Sequence, residues 1–321
     1  MTNLLIMLAL PEKIRNQYYD RLKAAFPELI INMVDHHSKV GPHIGSADML
    51  LTFGAHMSDH VLKDAKNLKW VQALGTGVDG ITDQPSLADN VLVTNMHGLH
   101  GDSMSDSAML SMLALARNLP RVVRSQTRHA WDRFPSRLLR GKTVGIFGVG
   151  AIAADLAPKC KMFGMNVIGI TSTQRELAGF DRMVGRDQLE EAVRELDYLI
   201  LLMPYTPETR NIVNAKILAA MKPSSFLINL ARGGVVDEDA LVAALKEGKI
   251  AGAALDVFVK EPLPEDHPFW DMANVIITPH LGGFHDQYPE QALPTIEENM
   301  RKFLAGDTKN MINVVKRPKN D

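Results

Sequence analysis

Short apolar runs alternate with helix-period segments along the whole chain. Leu4–Leu10 reads as a strand, and Ile14, Tyr18, Leu22 and Phe26 then recur every four residues, which predicts a helix. Further strand-like runs stand at Leu29–Val34, Met49–Phe53, Lys69–Leu74 and Val91–Asn95. Ser103–Asn118 reads as a long helix with small and apolar residues on most faces, so burial is expected, and Pro120 ends it. The alternation then restarts. Strands are predicted at Thr143–Gly148, Asn166–Thr171, Asp197–Met203, Phe226–Ala231, Ile250–Val257 and Val275–Thr278. Helices are predicted at Ala151–Phe163, Asp187–Leu196, Ala215–Met221, Glu238–Lys246 and, near the C-terminus, Pro289–Leu304. Strands that alternate with helices predict parallel sheets covered on both faces, and here two such arrays lie end to end.

Composition narrows the classes. A length of 321 residues suggests two domains, and 46% hydrophobic residues suffice for real cores. Lys and Arg number 35 against 37 Asp and Glu, a net charge of −2. That balance argues against a nucleic-acid surface. One cysteine, Cys160, excludes an internal disulfide framework and a multi-cysteine metal knuckle, so no metal is expected. The Leu4–Leu10 run has no preceding Lys or Arg and is cut short by Pro11 and Glu12. It matches neither a signal peptide nor a membrane span, so a cytoplasmic protein is expected.

The first chemical motif is Gly148-Val149-Gly150-Ala151-Ile152-Ala153, between a strand and a helix. Gly148 suits a tight turn, Gly150 lets a pyrophosphate approach the backbone, and Ala153 lets helix pack on strand. The N–H groups at Ala151 and Ile152 open the helix toward phosphate. A ribose-binding acid is expected about 20 residues later. That stretch holds Thr171, Ser172, Thr173 and Arg175 and no acid, which suits the 2′-phosphate of NADP. The alternative is NAD, with Arg175 a solvated loop residue or Glu176 shifted to the ribose.

Three strand ends carry reactive groups: Arg232 with Gly233 and Gly234, then Asp256 with Glu261, then His280. Open α/β sheets bind ligands at such ends. An arginine, an acid and a histidine that converge there can hold a carboxylate, orient an imidazole and move a proton. Each alone has an ordinary structural role: Arg232 paired with Asp237, Glu261 a surface acid, His280 a satisfied loop residue.

As a set, the motifs GVGAIA, MPYTPETR (Met203–Arg210), MKPSSFLINLARGGVVDEDAL (Met221–Leu241), GAALDVFVKEPLP (Gly252–Pro264) and TPH (Thr278–His280) resemble the D-isomer-specific 2-hydroxyacid dehydrogenase family. The match runs from about Leu68 to the C-terminus and is weaker before. The resemblance implies two Rossmann-like doubly wound parallel-sheet domains with the active site in the cleft between them. Residues 1–97 and 283–321 would form a flavodoxin-like substrate domain, and 98–282 the dinucleotide-binding domain. It implies that Arg232 grips the substrate carboxylate, that His280 moves the proton, and that Glu261 orients His280 and favours its imidazolium form. Gly77 and Val78 would receive the carboxylate through backbone N–H groups, as a glycine-flanked anion nest can. Met203, Pro204, Thr209, Ala231 and Asp256 would line the coenzyme, Asp256 at the nicotinamide carboxamide. The family's Asp after the second strand is Thr171 here, and its Ala-Glu-His reads Ser105-Asp106-Ser107.

The function so implied is reduction of a small 2-oxo acid, glyoxylate or hydroxypyruvate, to a D or achiral hydroxy acid, with NADP or NAD as coenzyme. Two alternatives stand beside it: oxidation of a phosphorylated hydroxy acid, as phosphoglycerate dehydrogenases do, and a dinucleotide-sensing scaffold of the C-terminal-binding-protein type. A homodimer through the coenzyme domain is expected. Apolar Ser103–Asn118 and the arm residues Trp131, Leu138 and Leu139 would contribute to it, with Trp131 either reaching the partner's active site or packing within its own chain.

Overall fold

The structure, a computed structural model, describes residues 2–173 and 175–318; Gln174, within the stretch read for coenzyme choice, lies outside them. In chain order the first elements are β1 (Asn3–Met7), α1 (Glu12–Ala25), β2 (Ile30–Val34), α2 (Gly41–Ile44), β3 (Met49–Thr52), α3 (Asp59–Asp64), β4 (Trp70–Ala73) and β5 (Leu92–Thr94). Then follow α4 (Gly101–Ala116), α5 (Leu119–Thr127), β6 (Thr143–Phe147), α6 (Ala151–Met162), β7 (Asn166–Thr171), β8 (Arg182–Gly185), α7 (Leu189–Ala192), β9 (Tyr198–Leu201), α8 (Ala215–Ala220), β10 (Phe226–Asn229), α9 (Glu238–Lys246), β11 (Gly252–Leu255) and β12 (Val275–Ile277). The chain closes with α10 (Tyr288–Leu304) and β13 (Val314–Lys316). Two compact units result: residues 1–100 with 286–321, and residues 101–285.

In the first unit the sheet order is β13-β5-β4-β3-β1-β2, and only β13 is antiparallel. In the second the order is β12-β11-β10-β9-β6-β7-β8, all parallel. Both are doubly wound orders, whose ligand sites lie at the carboxyl ends of the strands where the order reverses. The continuous apolar strands follow from burial on both faces. In β9, Tyr198 and Ile200 pack into one core while Leu199 and Leu201 pack into the other. In β1, Leu4 and Ile6 face one core of the first unit, and Leu5 and Met7 the other.

Differences from the sequence expectations have local causes. Pro120 stands in the first turn of α5, after Asn118 in a left-handed conformation at φ 49°. Proline ends one helix there and opens the next, because the first turn needs no N–H from it. The helix expected over Asp187–Leu196 is α only over Leu189–Ala192, preceded by a 3-10 turn at Arg186–Gln188. Beyond it, Arg194, Glu195 and Leu196 donate to carbonyls three residues back, so the apolar spacing persists while the helix tightens into turns. The half-exposed edge strand β8 and the three-residue β13 carry too little apolar pattern to be read.

Helix α4 is covered in its own unit by α6, β10 and β11. Leu110 stays 61% exposed, and α4 therefore contributes less open apolar surface than expected. Leu139, expected to add to an apolar arm, is buried. Trp131 is 93% exposed, which rules out packing within its own chain, and Leu138, Val122 and Val123 are exposed as well. Among the described residues no helix is long and apolar enough to cross a membrane.

Candidate active site

The dinucleotide turn lies at the reversal of the second sheet, after β6 and beside β9. Gly148 adopts φ +101°, and a Cβ there would meet the backbone N of Met203 at 2.4 Å. Only glycine allows this approach of the two strand ends. A Cβ at Gly150 would meet nothing within 4 Å, which leaves room above the α6 N-terminus. Ala151 and Ile152 open α6, and Ala153 is fully buried against the sheet. The loop after β9 is locked by Thr209, whose hydroxyl accepts from Thr206 N at 2.7 Å and donates to the Pro204 carbonyl at 2.8 Å. Met203 is buried beneath it. These residues fit a dinucleotide, because an open helix N-terminus stands behind a glycine turn with free space beside Gly150.

At the end of β7, Thr171 caps its own loop. Its hydroxyl donates to the Thr173 carbonyl and accepts from Thr173 N, each at 3.2 Å. Ser172 is exposed beside it. Arg175 folds back so that its guanidinium donates to the Val149 carbonyl at 2.6 Å, inside the glycine turn. Arg175 is thus an exposed residue with one hydrogen bond to the glycine turn.

Arg232, Glu261 and His280 follow the adjacent parallel strands β10, β11 and β12. Gly233 is pressed so closely on the Phe258 carbonyl carbon that a Cβ would fall 1.9 Å from it, which sets the Arg232 and Glu261 loops side by side. Arg232 donates to the Ala231 carbonyl at 2.7 Å, and Ala231 N donates to Asn229 Oδ1 at 3.1 Å. Asp237, the alternative partner for Arg232, caps α9 by accepting from Ala240 N at 3.0 Å. Glu261 Oε1 accepts from Phe258 N at 2.9 Å, and its Oε2 lies 2.8 Å from His280 Nδ1. Burial pushes the Glu261 carboxyl up, but the hydrogen bond and charge of His280, the Phe258 N–H and the Arg232 charge outweigh it. The carboxyl is held below its ordinary value of 4.5.

His280 itself sits in the left-handed region at φ +54°. Its N–H donates to the Asp256 carbonyl at 2.9 Å. The buried Asp256 carboxylate accepts from the Thr278 hydroxyl, from Leu281 N at 2.9 Å and from Gly282 N at 2.9 Å. Asp256 therefore holds both sides of the histidine. Sequence reading assigned it only a ligand-facing part and passed over Thr278; a Thr two residues before a loop histidine was the available signal. Among the described residues no group of three or more His, Cys, Asp or Glu could hold a metal.

In the first unit, Gly77 and Val78 lie in the loop after β4. The Val78 carbonyl accepts from Ile81 N at 3.0 Å and Thr82 N at 3.1 Å, closing a helical turn behind the loop. Gly80, at φ +81°, packs on the Gly54 carbonyl, where a Cβ would stand 2.4 Å away. The loops after β3 and β4 are thereby interlocked.

The lowered Glu261 carboxyl has a stability consequence. A depressed folded pKa stabilises the fold above the ordinary value of 4.5, and the contribution disappears as pH falls through the folded value. Glu261→Gln should lower the urea midpoint at pH 7, and the gap to wild type should close below roughly pH 4. A gap of the same size at both pH values would contradict the ion pair.

Comparison with known proteins follows the same lines. The model of the D-isomer specific 2-hydroxyacid dehydrogenase NAD binding domain matches residues 109–282. The D-3-phosphoglycerate dehydrogenase of Methanocaldococcus jannaschii is 37% identical over 84% of this chain and 52% of its own length. The chain thus spans about half the length of that relative. The glyoxylate/hydroxypyruvate reductase A of Serratia proteamaculans is 34% identical over 77% of this chain and 80% of its own. A D-isomer specific 2-hydroxyacid dehydrogenase family protein from Aeromonas salmonicida superposes with TM-score 0.86 at 32% identity, covering 98% of this chain and 99% of that one. The NADPH-dependent glyoxylate/hydroxypyruvate reductase of Sinorhizobium meliloti, solved with NADP and sulfate, has TM-score 0.83 at 27% identity and 98% coverage of both chains. With motifs, sheet order and strand-end residues in agreement, the chain belongs to the D-isomer specific 2-hydroxyacid dehydrogenase family.

Proposed function

We propose that the protein is an NAD(P)-dependent oxidoreductase that reduces a small 2-oxo acid, of the glyoxylate or hydroxypyruvate type, to its 2-hydroxy acid. The 2.8 Å pairing of His280 Nδ1 with Glu261 Oε2, beside the Arg232 loop, carries the reading. Glu261 takes the Nδ1 side of the ring and leaves Nε2 to donate a proton to the substrate oxygen. Arg232 pairs with the substrate carboxylate and polarises the carbonyl. Gly148, Gly150, Ala151, Ile152, Met203, Pro204, Thr209 and Ala231 would hold the dinucleotide. When bound, the nicotinamide supplies the hydride. A carboxylate has about four acceptor sites. Three donors occupy Asp256, which leaves it one for the carboxamide. The first unit's part is the Gly77–Val78 backbone, an anion-receiving loop.

The 37% identity to a phosphoglycerate dehydrogenase favours a second reading, oxidation of a phosphorylated hydroxy acid. A panel of glyoxylate, hydroxypyruvate and 3-phosphoglycerate separates the two. Turnover of none of them would leave the dinucleotide-sensing scaffold. His280→Ala should lose roughly 10²–10⁴ in kcat on the preferred substrate. Glu261→Gln should move the optimum for reduction to lower pH, since it removes the carboxylate that meets His280 Nδ1. Near-normal kcat in His280→Ala would overturn the proposed proton transfer.

The coenzyme reading is NADP over NAD. No acid stands between Met165 and Arg175, so nothing there repels a 2′-phosphate. Arg175 already lies on the glycine turn. NADPH should exceed NADH by about tenfold or more in kcat/KM, and Arg175→Ala should erase most of that difference with little change for NADH. Equal or better kcat/KM with NADH would mean that Glu176, or no acid at all, governs the choice.

The proposed assembly is a two-fold dimer through the second unit, supported by the exposed Val122, Val123, Trp131 and Leu138. The single buried thiol, Cys160, suits a reducing cytoplasm. Light scattering at micromolar concentration should give twice the chain mass; a monomeric mass would refute the dimer.

A further inference from the structure

Thr76 stands between Gly75 and Gly77, in the loop assigned to the substrate carboxylate. A loop with two glycines is costly to order, because glycine loses the most conformational freedom on folding. Its order comes from Thr76 and its neighbours. The Thr76 carbonyl accepts from Asn95 Nδ2 at 2.6 Å, and the Gly75 carbonyl accepts from Met96 N at 3.1 Å. The Thr76 hydroxyl lies 2.9 Å from His100 Nδ1 and 3.3 Å from the Met96 carbonyl.

His100 extends this network. Its Nε2 is 3.1 Å from the Tyr288 hydroxyl, and the two rings lie 5.4 Å apart. Tyr288 is buried, and its hydroxyl donates to the Leu74 carbonyl. Burial raises that phenol well above its ordinary value, so it keeps its proton. With the phenol proton on Leu74, His100 Nε2–H donates to the phenol oxygen, and in the neutral ring Nδ1 accepts from Thr76, whose one proton takes this shorter contact over the Met96 carbonyl at 3.3 Å. The donors then run in one direction, Thr76 to His100 to Tyr288 to the Leu74 carbonyl. The path ends two residues before it starts, so it forms a closed ring around Gly75.

We propose that His100, bridged by Tyr288, is a positioning residue that presets the Gly75–Val78 loop for the carboxylate of the substrate. The residue touches no substrate in this role; it acts through Thr76. The proposal rests on the reading that the Gly77 and Val78 amides receive that carboxylate. Preorganisation of this kind appears in affinity for the acid, not in the chemical step or the coenzyme.

The test uses the full chain. His100→Ala should raise KM for glyoxylate about tenfold, the scale of one hydrogen bond, with kcat within about threefold and the NADPH Kd unchanged. His100→Asn, whose side-chain oxygen replaces Nδ1 as the acceptor for Thr76, should recover most of the loss. Tyr288→Phe should fall between them. Oxamate binding by calorimetry, with NADPH bound, gives a readout independent of turnover and should weaken in the same order. If no 2-oxo acid is turned over but oxamate affinity follows this order, the proposed reaction fails and the positioning role stands. Unchanged KM and oxamate affinity in His100→Ala, no oxamate binding by wild type, or a parallel loss of KM, kcat and NADPH affinity that His100→Asn fails to rescue, would overturn it.

Discussion

The second unit's chemistry depends on one buried carboxylate. Asp256 collects the Thr278 hydroxyl and the Leu281 and Gly282 amides, while its own carbonyl accepts the His280 N–H. These bonds cross His280 on both sides and hold it at φ +54°, a conformation a non-glycine residue adopts only when its surroundings fix it. Without that constraint the imidazole would have no reason to meet Glu261. The carboxylate tolerates burial because each donor it meets is a hydrogen-bonding group at close range. The placement of the imidazole beside Glu261 thus rests on a buried group that does not itself touch the ring pair.

The two sheets solve the same positioning problem with the same geometry. Parallel strands bury both faces, so their polar business is confined to their ends. In the second unit the strand ends carry, in spatial order, the His280, Glu261, Arg232, Met203 and Gly148 loops. Spacing between strands fixes their separation without any further device. What varies is how each loop is closed: a threonine hydroxyl for Pro204–Thr209, a carboxylate for Thr278–Gly282, and backbone contact with Phe258 for Gly233.

Much of this was legible in the residues. The βα alternation, the glycine turn at Gly148–Gly150 and the strand-end positions of Arg232, Glu261 and His280 all depend on local pattern, which a sequence carries openly. The strand β13 and the edge strand β8 were not legible, because three or four half-exposed residues carry no period. The second opening at Pro120 was missed because proline marks helix starts as well as stops. Thr278, His100 and Tyr288 were missed for a different reason. Their partners lie 22, 24 and 214 residues away, at Asp256, Thr76 and Leu74, and only the sheet brings them together. Leu139 was misjudged because an apolar residue in an arm can turn inward, and composition does not say which way it turns.

The two anchored loops differ in the charge of their anchors, and the difference follows from what each would meet. The His280 loop is held by carboxylates: Glu261 meets the ring at Nδ1, and Asp256 anchors the loop backbone. The Gly75–Val78 loop is assigned an anion. A carboxylate anchor at Thr76 would oppose the incoming charge at short range, and in a partly buried setting the repulsion would be poorly screened. The partners that Thr76 and its ring display are instead an amide, carbonyls, an imidazole and a phenol. Dipoles of this kind can order the backbone at Thr76 and leave its N–H groups to an anion. Farther along, Asp83 accepts from Gly80 N at 2.6 Å, so the two ends of this loop region are held by groups of different charge.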